Sequence, residues 1–304
     1  MPKIWSTLKP YLRWVILGGT LFFLAKALKD HAAEVSAIRI TGAGWANIAI
    51  ALCLTLLAHT WAGWVWNLIL QSLQQPVQPG WVLQVYLKTN LAKYLPGNVW
   101  HYYGRILAVT SHGGDLGAAT LSVLLEPLLM AAAALLIALL GTQQEQWGLQ
   151  VISLAVVCLA VHPRILNPAI QFLSRMKGKS KEPKTGSSFH LKSYPLLPLL
   201  GELGFLVLRG AGFLFVLLAV TPINPNQIPT LFSAFSMAWL LGLVVPGAPG
   251  GIGVFEATAT ALLNQHFSPG LILSAVALFR VVSILAEVVA AGMATASDRL
   301  LKKP

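Results

Sequence analysis

The sequence predicts an all-α polytopic membrane protein, on three observations. Of its 304 residues, 56% are hydrophobic and only 10% are charged, with a mean hydropathy of +0.70. Soluble domains carry about 25% charged residues. Several stretches reach the roughly 20 mostly apolar residues that cross a hydrocarbon core of about 30 Å. The basic residues are clustered between such stretches, with seven Lys/Arg from Arg164 to Lys192 around "SRMKGKSKEPKTGSS". That is the positive-inside signature of a cytoplasmic loop. The net charge of +11 is spread over such segments rather than over one face, so no nucleic-acid partner is expected.

Hydropathy places about six full transmembrane helices, at 11–29, 44–73, 115–141, 147–162, 194–220 and 269–297. The first lacks a small-residue cleavage site and is followed by Lys26 and Lys29, so it reads as a retained helix rather than a signal peptide. Two further apolar regions, 80–113 and 228–266, are each cut in the middle by Pro and Gly. Lys3, Lys9 and Arg13, together with Arg299, Lys302 and Lys303, put both termini in the cytoplasm of a multi-pass cell-membrane (inner-membrane) protein. Tracing the chain from those anchors, 80–113 begins and ends on the cytoplasmic side and the second broken region begins and ends outside. Both therefore read as re-entrant hairpins of opposite orientation, the pattern of an inverted repeat. The whole chain, 1–304, reads as one integral membrane domain. Its first half spans 44–162 with hairpin 80–113, and its second spans 194–297 with hairpin 228–266, joined by the basic loop 164–192.

The first break, "NLAKYLPGNVWHYYGR", covers residues 90 to 105. Pro96 disfavours helix at Leu95, Gly97 permits a turn, and Asn98 suits the N-cap of a helix from Val99. Free N–H groups at that helix start, with Lys93, His101 and Arg105 around them, favour an anion such as a phosphate headgroup. The bland alternative is snorkelling of Lys88 and Arg105 to an aromatic interface. The second break, "VVPGAPGGIGVFEA", holds two Pro and four Gly between residues 244 and 257. Gly250, Gly251 and Gly253 permit close backbone approach, and a helix is expected to start near Val254 with Glu256 in its first turn. It lacks the strand context and glycine spacing of a dinucleotide fingerprint.

These two motifs resemble the lysylphosphatidylglycerol synthase transmembrane-region family, the membrane half of the bacterial multiple-peptide-resistance proteins. "PGAPGGIGVFEA" is similar to its C-terminal signature and "KYLPGNVWHYYGR" to its first hairpin. "LLEPLL" around Glu126 and "ALFRVVS" around Arg280 match positions where the family carries an acid and an arginine. The resemblance spans about residues 10 to 297. It implies flipping of an aminoacylated phospholipid, with lipid synthesis assigned to a separate soluble domain. Because the chain ends at Pro304, that synthase domain is expected to be absent and its activity is not carried over.

Glu126, Glu202, Arg209, Glu256, Arg280 and Glu287 all fall in or near apolar spans, where a charge must pair or line a wet cavity. Glu202 and Arg209, like Arg280 and Glu287, are seven apart, so each pair can share a helix face. Glu202–Arg209 also reads as a structural ion pair, while Arg280, Glu256 and Glu126 are placed at the cavity. His59 reads as a packing residue, and Cys53 and Cys158 receive no function. The expected binding set is Lys93, Asn98, His101, Arg105, Glu126, Gly250, Gly251, Gly253, Glu256 and Arg280. No catalytic or metal-binding residue, and no cofactor, is expected. Asp30, Asp115 and Asp298 are too scattered for metal-assisted phosphotransfer, and Ser122 with His59 forms no protease motif. The favoured function is a flippase-like translocase of a phospholipid with an anionic or aminoacylated headgroup, compatible with a homo-oligomer. A non-transporting accessory or scaffold protein is the alternative, and a lipid-modifying membrane enzyme ranks below both.

Overall fold

A computed structural model describes residues 40–75, 77–94, 99–139, 141, 147–168, 191, 193–245, 251 and 253–301. The expected helix at 11–29, the N-terminal charge cluster, Lys302, Lys303 and most of the basic loop lie outside the described residues. Within them every regular element is helical, in a multi-pass membrane bundle. We label α1 Gly42–Ser72, α2 Pro79–Asn90, α3 Trp100–Ser111, α4 Leu116–Ala138, α5 Trp147–Ala160, α6 Leu196–Val220, α7 Ile228–Val244, α8 Val254–Leu263 and α9 Pro269–Leu301.

Five segments are long and apolar enough to span a bilayer. Four of them, α1, α4, α6 and α9, are expected from hydropathy. The fifth runs from Pro225 to Val244, so the first arm of the second broken region is itself of spanning length. Conversely α5 has only 14 residues, about 21 Å of rise, where a full span was expected at 147–162. Around the first break, α2 and α3 have 12 residues each, about 18 Å, and neither alone crosses the core.

The centre of the bundle is the long antiparallel seam between α1 and α6. Small residues set its spacing, because lipid supplies no hydrophobic drive between helices and close backbone approach must. A Cβ on Gly44 would sit 2.7 Å from Ala219 O, one on Gly201 2.7 Å from Val65 Cγ2, and one on Gly212 2.9 Å from Thr55 Oγ1. Two side-chain donors lock the same register. Asn47 Nδ2 donates to Leu218 O at 3.1 Å, and Trp61 Nε1 donates to Gly201 O at 2.7 Å.

Around this seam α4 packs on α7 and α9 packs on α2, while α3 lies against α4 and α8 against α9. The local starts are specific. Thr41 Oγ1 caps α1 through Gly44 N at 3.1 Å, and Asp115 Oδ1 caps α4 through Ala118 N at 2.9 Å. Asp115 N is fixed in turn by Gln75 Oε1 at 2.9 Å, tying the start of α4 to the end of α1.

Candidate functional site

A cavity of about 220 Å³ lies where α1, α2, α3, α4, α6, α7, α8 and α9 converge. Its lining combines the aromatic rings of Phe205, Trp239, Phe255 and Phe279 with the cations Lys93, Arg105, Arg209 and Arg280. The volume is far above the roughly 10–15 Å³ that admits one water.

Arg105 enters from α3 and is 1% exposed. Its Nη1 donates to Glu126 Oε2 at 2.6 Å, across to α4. The other oxygen of Glu126 accepts from the Tyr86 hydroxyl of α2 at 2.8 Å. The guanidinium also lies over the Tyr86 ring, 3.7 Å from its centroid, and 5.5 Å from that of Trp66. Trp66 is anchored through its Nε1–H to Ser122 Oγ at 3.2 Å. A buried pair compensates its desolvation only when its remaining groups are satisfied, and Tyr86 supplies part of that here. Pro127, next to Glu126 in mid-helix, gives up one backbone N–H at the cavity wall.

At the second break, Glu256 sits in the first turn of α8, as its sequence position suggests. Its Oε2 accepts from Gly253 N at 2.7 Å, satisfying the free helix start, and its Oε1 accepts from Arg280 Nε of α9 at 2.5 Å. Gly253 and Gly251 have φ of +87° and +70°, a region that L side chains rarely adopt. A Cβ on Gly251 would also meet Gly242 Cα of α7 at 3.0 Å, so both glycines are required for the break to fold back on α7.

A third cluster joins α9, the turn after α2, and α1. Lys93 Nζ donates to Glu287 Oε1 at 2.6 Å, and His59 Nε2 lies 3.2 Å from the same oxygen. Arg209 Nη1 of α6 donates to Ser283 Oγ at 3.1 Å, with its guanidinium 5.1 and 4.6 Å from the Trp239 and Phe279 ring centroids. Glu287 thereby binds the second half of the chain to Lys93 and His59 of the first, and Arg209 ties α6 to α9.

Six of the residues expected from sequence line this cavity together: Lys93, His101, Arg105, Glu126, Gly251 and Arg280. Glu256 and Gly253 hold Arg280 and the start of α8 from just behind the wall. Asn98 and Gly250 lie outside the described residues. The α3 helix begins at Trp100, and the residue at its cap position, Val99, makes no side-chain capping bond.

Two readings need correction. Glu202 does not pair with Arg209. Seven residues are about 10.5 Å of helical rise, so each side chain meets another helix before it meets its neighbour two turns away. His59 is not a plain packing residue, because it lines the cavity against Glu287. Sequence reasoning also passed over Tyr86 as a site residue, since a lone tyrosine in an apolar helix carries no charge to flag it. Arg209 and Glu287 were visible as membrane charges, but nothing local placed them at the same cavity.

The family model described as lysylphosphatidylglycerol synthase TM region matches residues 11–291, nearly the whole chain. No curated protein matches it.

Proposed function

The chain belongs to the lysylphosphatidylglycerol synthase TM-region family, and from that premise we propose that it is a flippase-like lipid translocase. It takes a phospholipid's charged headgroup into the central cavity while the acyl chains stay in the bilayer. The observation that carries this reading is the convergence of Lys93, Arg105, Arg209 and Arg280, from four separate elements, on one cavity inside a membrane bundle. Cations in the bilayer interior are costly and typically mark substrate pathways. Each of the carboxylates Glu126, Glu256 and Glu287 is already held by one of these cations, so an entering anion binds by exchange, displacing a carboxylate from its cation.

The packing supports an inverted repeat. Exchanging α1–α4 with α6–α9 maps the contact of α4 with α7 onto that of α9 with α2, and the α1–α6 seam onto itself. In transporters of that kind broken helices meet at a central substrate site, and access alternates between faces. In this reading both termini are cytoplasmic, the first broken segment opens to the cytoplasm, and the second opens outside. No enzymatic step is assigned. An anionic headgroup fits the cations, and an aminoacylated one adds an amine for the glutamates.

The test is transport of fluorescent phosphatidylglycerol in proteoliposomes, read by dithionite quenching from one side. Arg105→Gln with Glu126→Gln removes both charges together and avoids stranding a lone buried charge. Translocation is expected to be lost with folding intact, and likewise for Arg280→Gln with Glu256→Gln. Unchanged transport in both double variants defeats the shared cavity and favours a scaffold whose ion pairs only set helix packing. Sidedness is checked by cysteine labelling at the exposed Gly80 and Ser111, in a background lacking Cys53 and Cys158. Both sites should react from the cytoplasmic side only.

A further inference from the structure

Among the ion pairs described at the cavity, the one on Glu287 differs in what remains when its cation is taken. Glu126 keeps the Tyr86 hydroxyl, and Glu256 keeps Gly253 N. Glu287 keeps an imidazole. His59 Nε2 of α1 lies 3.2 Å from Glu287 Oε1, the oxygen that also accepts from Lys93 Nζ at 2.6 Å. Glu287 Oε2 has no hydrogen-bond partner among the described residues. The three side chains are graded in access, with Lys93 21% exposed, His59 5% and Glu287 2%. An anion entering the cavity therefore meets the lysine before the acid and the imidazole behind it.

The other charged and titratable groups around this cluster are engaged elsewhere. Arg209 of α6 donates to Ser283, one turn before Glu287 on the same face of α9. Tyr86 of α2 and Arg105 of α3 both hold Glu126 of α4, and Arg280 of α9 is held by Glu256 of α8. His101 of α3 lies against the Tyr102 ring. Lys88 of α2 and Glu202 of α6 are outside the cavity lining among the described residues. Lys93 already neutralises Glu287, and Arg209 lines the same cavity, so a charge on His59 would have no acid of its own. The imidazole therefore rests neutral. Imidazole is also the side chain that gains a proton near neutral pH.

Resting on the translocase reading, we propose that His59 is the proton-binding residue that couples anion entry at Lys93 to proton uptake. At rest Lys93 holds Glu287. When a phosphate oxygen of the headgroup takes Lys93, Glu287 is left buried without its cation, which is strongly destabilising. His59 then takes a proton: an O–H bond of a hydronium ion breaks and an N–H bond forms on the imidazole. The imidazolium becomes the counter-charge of Glu287 at the contact it already makes. Anion and proton enter together, and the net charge of the cluster is unchanged. Release of the headgroup returns Lys93 to Glu287 and the proton to solvent. The activity that follows is proton-coupled lipid movement, in which a proton gradient drives the headgroup across the membrane.

The test is calorimetric titration of the full wild-type chain, in phosphatidylcholine nanodiscs, with dihexanoyl phosphatidylglycerol in two buffers of unequal ionisation heat. Uptake of about one proton per anion bound is expected. Across the range where that proton is taken up, each unit rise in pH should weaken binding about tenfold. Binding with equal heats in the two buffers overturns the coupling and leaves the translocase reading standing. Absence of any binding defeats both. In His59→Gln binding should weaken and the proton uptake vanish, and uptake that persists there overturns the assignment to His59. Nitrogen-labelled histidine in the wild-type chain gives a reading that needs no variant. One neutral imidazole should become imidazolium on lipid addition, and an unchanged histidine spectrum overturns the proposal.

Discussion

The two broken segments carry the same device with the charges exchanged. In the first, the cation is on the short helix after the break and the acid on the span that follows, Arg105 to Glu126. In the second, the acid is on the short helix and the cation on the span, Glu256 to Arg280. Both pairs clamp a short helix to its neighbouring span, α3 to α4 and α8 to α9. Their surroundings differ. The Arg105 side chain is 2% exposed and roofed by Tyr86, whereas that of Arg280 is 24% exposed. The start of α8 is satisfied by Glu256, while Val99, at the cap position of α3, makes no side-chain capping bond. The second break is thus held by its own acid and by glycine geometry, and the first by a buried guanidinium stacked on aromatic rings. One clamp is mostly local and the other mostly tertiary.

That contrast can be broken most forcefully at the arginines. Arg105→Ala leaves Glu126 in a buried site without its cation, a loss of about 3–5 kcal/mol. Arg280→Ala removes a partly exposed cation and leaves the buried Glu256 still bound to Gly253 N, so a smaller loss of about 1–3 kcal/mol is expected. Unfolding in bicelles should rank them in that order, and equal losses would remove the distinction between the clamps. Next come the glycines. Gly251→Ala forces a side chain into a left-handed backbone and against Gly242, costing about 2–3 kcal/mol. Gly113→Ala, after α3, meets the same strain at φ +88° with nothing within 4 Å, and should cost only about 1 kcal/mol. The same unfolding assay reads both, and a larger loss at Gly113 would show that close packing on α7 does not govern the second break. The smallest effect sharpens the comparison at the helix starts. Val99→Ser supplies α3 with a capping hydroxyl and should raise stability by about 0.5–1 kcal/mol. No gain would show that the start of α3 is already satisfied.

How far the site could be read from sequence differs between residues. Glu256 was legible because its place follows from local rules: a glycine break, a helix start, an acid in the first turn. Arg105 was legible as a cation that apolar surroundings would not tolerate alone. Its partner was not, since nothing within α3 or α4 states which faces meet. Glu202 and Arg209, spaced for one helix face, resembled a pair, yet Glu202 has no hydrogen-bond partner among the described residues and Arg209 donates to Ser283. Tyr86 and His59 became site residues only through the packing of α2 and α1.

By itself the sequence determined four of the five described spanning helices and the two breaks, along with the surplus of cations that such helices must accommodate. Those features depend on hydrophobic length, on proline and glycine backbone limits and on the cost of buried charge, all of which act within a short stretch of chain. Tertiary structure decided which acid each cation holds, and that the two breaks share one cavity. Such pairs join residues up to 194 positions apart. Their meeting depends on helix register, set here by glycine contacts and tryptophan and asparagine hydrogen bonds along the α1–α6 seam.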